Sequence, residues 1–304
     1  MPMRALITGI KGFVGQYLLE ELKKNNIETF GISRKEEIEE NIYKGDILDL
    51  ESVANIIKYT QPDVVFHLAG FTSVKDSWDK PDEAMRLNKG GTENLYKAIA
   101  AVDANIKVIL ISSAEVYGKP SKIPLLETDP IHPENPYSKS KLAQEKIARD
   151  NPKIKTVICR SFPHTGPRQQ PIFAIPSFAK QIAMVEAGLQ NEILVGNLDA
   201  QRDFTDVRDV VQAYRILAQS DNWGQIYNIC SGKIWSIKQV LDTLLRCSEK
   251  NIKITIDSSK MRPSDIPVLR GDNTKIKHDI QWEPNISFIT TLQDILDYWR
   301  KEIR

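Results

Sequence analysis

Four residues near the middle of the chain have the types and spacing to move a proton at a carbonyl: Ser113, Glu115, Tyr137 and Lys141. Tyr137 and Lys141 stand one helical turn apart in YSKSK, so phenol and ammonium share a helix face. That arrangement is expected to lower the tyrosine pKa and to leave the lysine free to bind hydroxyl groups. Ser113 closes an apolar run that reads as a strand. Glu115 follows two residues later, and in extended backbone its side chain points to the same face as Ser113, which would set a carboxylate base beside the same carbon. Either Tyr137 or Lys141 alone is ordinary surface; the set is what reads as chemistry.

A second constellation lies at the start of the chain. Gly9, Gly12 and Gly15 stand in TGIKGFVG, with Phe13 and Val14 between the last two, directly after one strand-like run and at the opening of a helical one. The turn needs positive φ at one glycine, close approach of a pyrophosphate excludes a side chain at the next, and packing of helix on strand favours the third. Alone, such a trio is a tight turn; in this setting it predicts a dinucleotide site. The second strand ends in Ser33-Arg34, where NAD-selective sites place an acid against the ribose. A guanidinium pairs well with a 2′-phosphate, so NADP is expected, NAD is the alternative, and a solvated arginine is the plainest reading. Asp46 and Ile47 after the third strand and Leu68 and Ala69 after the fourth sit where carboxyl-edge loops meet adenine and ribose.

The elements that must position these groups alternate. Residues 4–8, 27–32, 64–69, 108–112 and 156–160 read as buried strands, and residues 13–24, 50–59, 88–101 and 137–149 as helices, which predicts an α/β, doubly wound parallel sheet of Rossmann type. After residue 160 the rhythm breaks in the Pro- and Gly-rich SFPHTGPRQQPIFAIP. Helices are expected over 175–186, within 202–218, and over 236–247 and 288–301, with a strand over 225–229. The expected division is a dinucleotide domain of residues 1–162 plus 206–231 and a smaller α/β substrate lobe of residues 163–205 plus 232–304. With 304 residues, 41% hydrophobic and 27% charged, the chain can bury a real core. Lys+Arg 41 against Asp+Glu 40 leaves no field to hold nucleic acid or an anionic membrane. Three cysteines without CxxC spacing argue against a disulfide framework and point to a reducing cytoplasm. His67 reads as a core histidine, and no metal spacing is found.

The motifs TGIKGFVG, SSAEVYG and YSKSK resemble those of the extended short-chain dehydrogenase/reductases that act on nucleotide sugars, and the likeness spans nearly the whole chain. The later segments FPHTGPRQQ, FAKQIA, VGNLDAQRDFTDVRDVVQAY, YNICSG and RPSDIPVLRGD are most similar to the GDP-6-deoxy-4-keto-mannose reductases and next to the GDP-mannose 4,6-dehydratases. The resemblance implies that Ser113 bonds the sugar C4 oxygen, Tyr137 exchanges its proton and Lys141 holds the nicotinamide ribose. Glu115 matches the acid that serves as base in the dehydratases, while Ala114 stands where some of them carry an acidic or hydroxylated residue. Ser73 is expected at the substrate, and Lys180, Arg202, Arg262 and Asp265 fall in segments that grip the diphosphate, the alternative for Arg202 being an internal ion pair with Asp203. Pro163 follows Phe162 where many relatives have Asn. The implied activity is NAD(P)H-dependent ketone reduction of a GDP-sugar to GDP-rhamnose, with dehydration or epimerisation on bound NAD(P) as the alternative, in a homodimer that meets through the helix of Tyr137.

Overall fold

The structure is a computed structural model, and it describes residues 3–36, 39–261 and 266–303. Its first six strands are β1 (Arg4–Thr8), β2 (Glu28–Ser33), β3 (Ile42–Lys44), β4 (Val64–His67), β5 (Lys107–Ser113) and β6 (Thr156–Ser161). The helices among them are α1 (Phe13–Lys24), α2 (Leu50–Thr60), the short α3 (Val74–Asp79) and α4 (Pro81–Met85), α5 (Gly91–Val102) and α6 (Pro136–Asp150). Beyond β6 come α7 (Ala174–Glu186), α8 (Val207–Gln219), α9 (Ile237–Arg246), α10 (Thr274–Ile280) and α11 (Phe288–Ile303). The interleaved strands are β7 (His164–Thr165), β8 (Glu192–Val195), β9 (Gln201–Asp203), β10 (Thr205–Asp206), β11 (Ile226–Ile229), β12 (Ile234–Ser236), β13 (Lys253–Ile256) and β14 (Val268–Leu269).

Seven strands form one parallel sheet in the order β11-β6-β5-β4-β1-β2-β3. The near-continuous apolar character of these strands has a simple cause: alternate side chains enter two different cores. Ala5, Ile7, Val64, Phe66 and Ile109 pack with Leu18 and Leu22 of α1 and Val210, Tyr214 and Leu217 of α8. Leu6, Val65, Val108 and Leu110 pack on the other face with Ile57 of α2, Leu95 and Ile99 of α5 and Ile147 of α6. Each such Val, Leu, Ile or Phe side chain contributes about 1.5–3 kcal/mol on burial. The chain order reverses between β1 and β4, which pair Leu6 with Val65 and Thr8 with His67, so the crevice at their carboxyl ends is the switch point where such sheets bind ligands.

A third core gathers Ile175, Phe178 and Ile182 of α7, Ile193 and Val195 of β8, Leu241 and Leu244 of α9, and Leu292 and Ile295 of α11. Its strands make small separate sheets, β12-β9-β14, β13-β8 and β10-β7. These strands are two to four residues long, too short for a period-two signal, and sequence reading finds none of them. The expected helix over 88–101 is also altered: its first turn belongs to a π turn (Arg86–Gly90), from which α5 continues.

Candidate active site

The residues singled out after β1, β2, β3, β4 and β5 converge on one edge, because all five strands are parallel and end there. Gly9 adopts φ +75° and lies so close to β4's exit that a Cβ would meet the Ala69 nitrogen at 2.9 Å. Ala69 N donates to Thr8 Oγ1 (3.1 Å). Gly12 is the N-cap of α1 and supplies no side-chain cap, which leaves the helix's first-turn N–H groups, at Phe13 and Val14, open to an anion. The cradle therefore fits a pyrophosphate. Ser33 is buried, while Arg34 is exposed and makes no hydrogen bond or ion pair with any described residue. Asp46 turns the chain by accepting from Leu48 N (2.9 Å), and Ile47 is buried against Gly91.

His67 joins this edge to two helices. Thr92 Oγ1 donates to the Asn88 carbonyl (2.6 Å) and so accepts from His67 Nε2 (3.0 Å); His67 Nδ1 then accepts from Thr8 Oγ1 (2.9 Å). Complete burial pushes its pKa down to about 3, which keeps the imidazole neutral in this tautomer. Gln144 of α6 donates to the same Thr92 hydroxyl (2.8 Å), and Asn88 donates to Ser140 (2.8 Å).

The helix of Tyr137 starts from a capping box that sequence reading passed over. Asn135 Oδ1 accepts from Ser138 N (2.8 Å), Ser138 Oγ accepts from Asn135 N (3.2 Å), and Pro136 opens the helix. The signal was present in Asn-Pro-Tyr-Ser, and such a box contributes about 1 kcal/mol. Tyr137 N donates to Ser77 Oγ of α3 (3.2 Å), so α3 closes over the helix start. Ser73 caps α3 by accepting from Asp76 N (3.1 Å).

Two expectations and one alternative need correction. Glu115 is not in extended backbone: β5 ends at Ser113, and residues Ala114–Tyr117 form a 3-10 turn in which Ser113 Oγ accepts from Glu115 N (3.2 Å). The capping hydroxyl bends the chain, and Glu115 approaches Tyr137 through that turn instead of through strand alternation. Its carboxylate accepts from Asn135 Nδ2 (3.0 Å). Second, the Tyr137 phenol is pushed up, to about 12, because burial outweighs its hydrogen bond with Ser113 and the Glu115 charge adds to the rise. Lys141 does not reverse this; its Nζ donates to the Ile111 carbonyl (2.9 Å) and lies 5.9 Å from the centre of the Tyr137 ring. Burial draws Lys141 itself down to about 8, opposed by Glu145. Third, Arg202 and Asp203 make no ion pair with each other. The Asp203 carboxylate accepts from Ser231 N and Oγ (2.8 and 2.6 Å), Gly232 N (2.9 Å) and Gly271 N (3.2 Å), whereas Arg202 Nη1 donates to the carbonyls of Ile266 (2.6 Å) and Gln201 (2.9 Å).

Lys180 is half-buried on α7, its ammonium 5.4 Å from the centre of the Trp299 ring on α11. Arg262 and Asp265 lie outside the described residues. Pro163 accepts from Thr205 N through its carbonyl (3.1 Å), and His164 stacks on Phe13 with centroids 6.5 Å apart. Among the described residues no group of His, Cys, Asp and Glu is placed to hold a metal, and no helix is long and apolar enough to cross a membrane.

This arrangement, a phenol that keeps its proton beside a serine at the end of a dinucleotide-type crevice, suits proton delivery to a carbonyl oxygen. Comparison with known proteins agrees. Residues 6–295 match the family described as GDP-mannose 4,6 dehydratase. The chain is 32% identical to the GDP-6-deoxy-D-mannose reductase of Pseudomonas aeruginosa, over 100% of this chain and 99% of that one. It is 28% identical to human GDP-mannose 4,6 dehydratase, over 96% and 90%. A solved structure of RMD from Pseudomonas aeruginosa complexed with NADPH superposes with a TM-score of 0.89 at 32% identity, covering 99% of both chains.

Proposed function

The chain belongs to the GDP-mannose 4,6 dehydratase family, and from that premise we propose that it reduces the C4 ketone of GDP-4-keto-6-deoxy-mannose to GDP-rhamnose with NADPH. The observation that carries the reductase reading is the protonated, buried Tyr137 phenol beside Ser113, while the one carboxylate in the group, Glu115, is engaged by the cap of α6. Ser113 polarises the ketone oxygen, and Tyr137 gives it a proton as negative charge builds there. Lys141 binds the ribose hydroxyls and keeps a positive charge in the enclosure below about pH 8. The N–H groups of Phe13 and Val14 would hold the pyrophosphate, with Gly9, Gly12 and Gly15 giving it room, while Asp46, Ile47, Leu68 and Ala69 would meet the adenine and its ribose. The nicotinamide supplies a hydride to the carbonyl carbon when bound. Ser73, Lys180, Arg202, Arg262 and Asp265 stay assigned to the GDP-sugar, in a cleft between residues 1–162 plus 206–231 and residues 163–205 plus 232–304. The free thiols Cys159, Cys230 and Cys247 suit a reducing compartment such as the cytoplasm.

The reading is tested with purified protein, GDP-4-keto-6-deoxy-mannose and NADPH: oxidation of the cofactor in step with loss of the ketone supports it, and no turnover refutes it. Glu115 favours a second reading, 4,6-dehydration, since a dehydratase needs a carboxylate to remove the C5 proton and Glu115 is close enough to raise the Tyr137 pKa. Glu115→Gln is expected to retain most ketone reduction, and the wild type is expected to release no 4-keto-6-deoxy sugar from GDP-mannose. Efficient release by the wild type, abolished in the variant, would establish dehydration instead.

Arg34 is assigned to the 2′-phosphate. Replacing it with Asp removes a charge-assisted contact of about 1.5–3 kcal/mol, so the NADPH/NADH ratio of kcat/KM should fall roughly ten- to hundredfold. An unchanged ratio would make Arg34 a solvated loop residue. We also place a homodimer contact on α6. The solvent face there carries Lys139, Lys146, Arg149 and Asp150 and, among the described residues, no exposed large apolar side chain, and Asp150 already pairs with Lys146, so like charges meet across a two-fold contact and the dimer should strengthen with added salt in sedimentation. A monomer at all concentrations would reject it.

A further inference from the structure

One turn beyond Lys141, α6 carries Glu145, whose side chain is fully buried. Its Oε1 accepts from Ser112 Oγ (2.7 Å) and Arg160 Nε (3.0 Å), and its Oε2 accepts from Arg160 Nη2 (2.9 Å) and Arg149 Nη2 (2.7 Å). Arg160, on β6 and 1% exposed, sends Nη1 to the Tyr117 hydroxyl (3.0 Å) and to the Glu127 carbonyl (3.1 Å). Tyr117 closes the 3-10 turn of Glu115, and its hydroxyl donates to Asn228 Oδ1 on β11 (2.7 Å). One buried cluster thus ties together α6, the end of β5, β6, β11 and the turn. Each tie but the one to the Glu127 carbonyl has an end within four residues of Ser113, Glu115 or Lys141.

Stability alone does not explain this cluster. Taking two charges out of water costs about as much as their attraction returns, and apolar side chains of similar volume often serve a core as well or better. What an ion pair with a fork of hydrogen bonds adds is direction. The apolar contacts of α6, such as Ile147 and Ala148, tolerate sliding and rotation of a helix over a sheet, whereas a guanidinium and carboxylate pinned from four sides do not. We propose that the Glu145–Arg160 pair fixes the register of α6 against β5 and the 3-10 turn, which makes both of them positioning residues for Ser113, Tyr137 and Lys141. The proposal rests on the roles given above to those three.

A consequence separates positioning from mere structure. Lys141 is faced by Tyr137 and Glu145 from α6, by neutral His67 from β4 and by the Ile111 carbonyl from β5. Glu145 is the carboxylate that opposes the effect of burial on the Lys141 ammonium. Glu145→Gln removes that support and leaves the Arg160 guanidinium uncompensated nearby, and both changes favour loss of the ammonium at lower pH.

The experiment uses the full chain as wild type, Ser112→Ala and Glu145→Gln. NADPH binding by fluorescence and ketone reduction are each followed from neutral to alkaline pH. Glu145→Gln should move the alkaline limb of both down by about one pH unit. Ser112→Ala, which cuts the tie between the ion pair and β5, should lower kcat about tenfold with KM within about twofold. Folded variants with wild-type kcat and unmoved limbs would overturn the proposal; if Glu145→Gln does not fold, wild-type kcat in Ser112→Ala overturns it alone. Should the wild type bind NADPH yet reduce no ketone, the functional reading fails, while the limb of NADPH binding still decides this proposal.

Discussion

Tyr137→Phe is expected to reduce kcat about a hundredfold or more while changing dinucleotide and GDP-sugar affinity little, the usual scale for removing a general acid. The ring is buried between α3 and the end of β5, and phenylalanine fills the same space. Only the hydroxyl is lost. Ser113 is not stranded by its removal, because its Oγ still accepts from Glu115 N. The substitution therefore separates proton delivery from folding and binding more cleanly than a change at Lys141, which would also empty a site facing the Ile111 carbonyl. A phenol held near 12 stays protonated across the working pH range, so the alkaline limit of the wild type is expected to report Lys141 instead. Steady-state kinetics with both substrates, beside equilibrium binding of NADPH, provide the check; near-wild-type kcat in the variant would remove Tyr137 from the mechanism.

Gly15→Ala should cost about 2–3 kcal/mol of stability and weaken dinucleotide binding with it. The added Cβ would sit 2.4 Å from the Gly9 carbonyl oxygen and 2.7 Å from that of Ile10. Both neighbours are backbone, so no side chain can swing aside. Either α1 lifts away from β1 or the Gly9 turn opens, and each movement takes the helix N-terminus away from its anion. A chain of this size should lose roughly 3–5 °C in melting temperature. Gly90→Ala is the control: its Cβ would make ordinary contact with Leu48 Cδ2 at 3.7 Å, and it should be neutral or stabilising by up to about 1 kcal/mol. Equal melting temperatures for Gly15→Ala and the wild type would show that the turn is softer than its geometry implies.

How far the sequence carries can be seen at particular residues. The helix read over 13–24 has those bounds in the structure, because a strand, a glycine turn and a 3.6-residue period are all local signals. The doubly wound sheet follows from the same periodicities. Glu115 shows the limit: SSAEVYG has strand character, yet a single capping contact from Ser113 turns it into a 3-10 helix. The Tyr137 pKa shows another. Spacing places Lys141 beside the phenol, but the enclosure that raises the phenol is made by chain far away in sequence, with α3 and Ser113 around it. His67 looked like core, and it is buried, but its bonds to Thr8 and Thr92 join residues 59 and 25 positions away. Asn135 is different, since its capping box is legible in Asn-Pro-Tyr-Ser itself.

The most direct measurement follows the hydride itself. Purified protein is given GDP-4-keto-6-deoxy-mannose and NADPH carrying deuterium at the transferable position of the nicotinamide, and the product is read by mass and by NMR. The account predicts one deuterium per product, at C4 of the sugar, with the label absent from C5 and C6. Unlabelled product, or label elsewhere in the sugar, would contradict it.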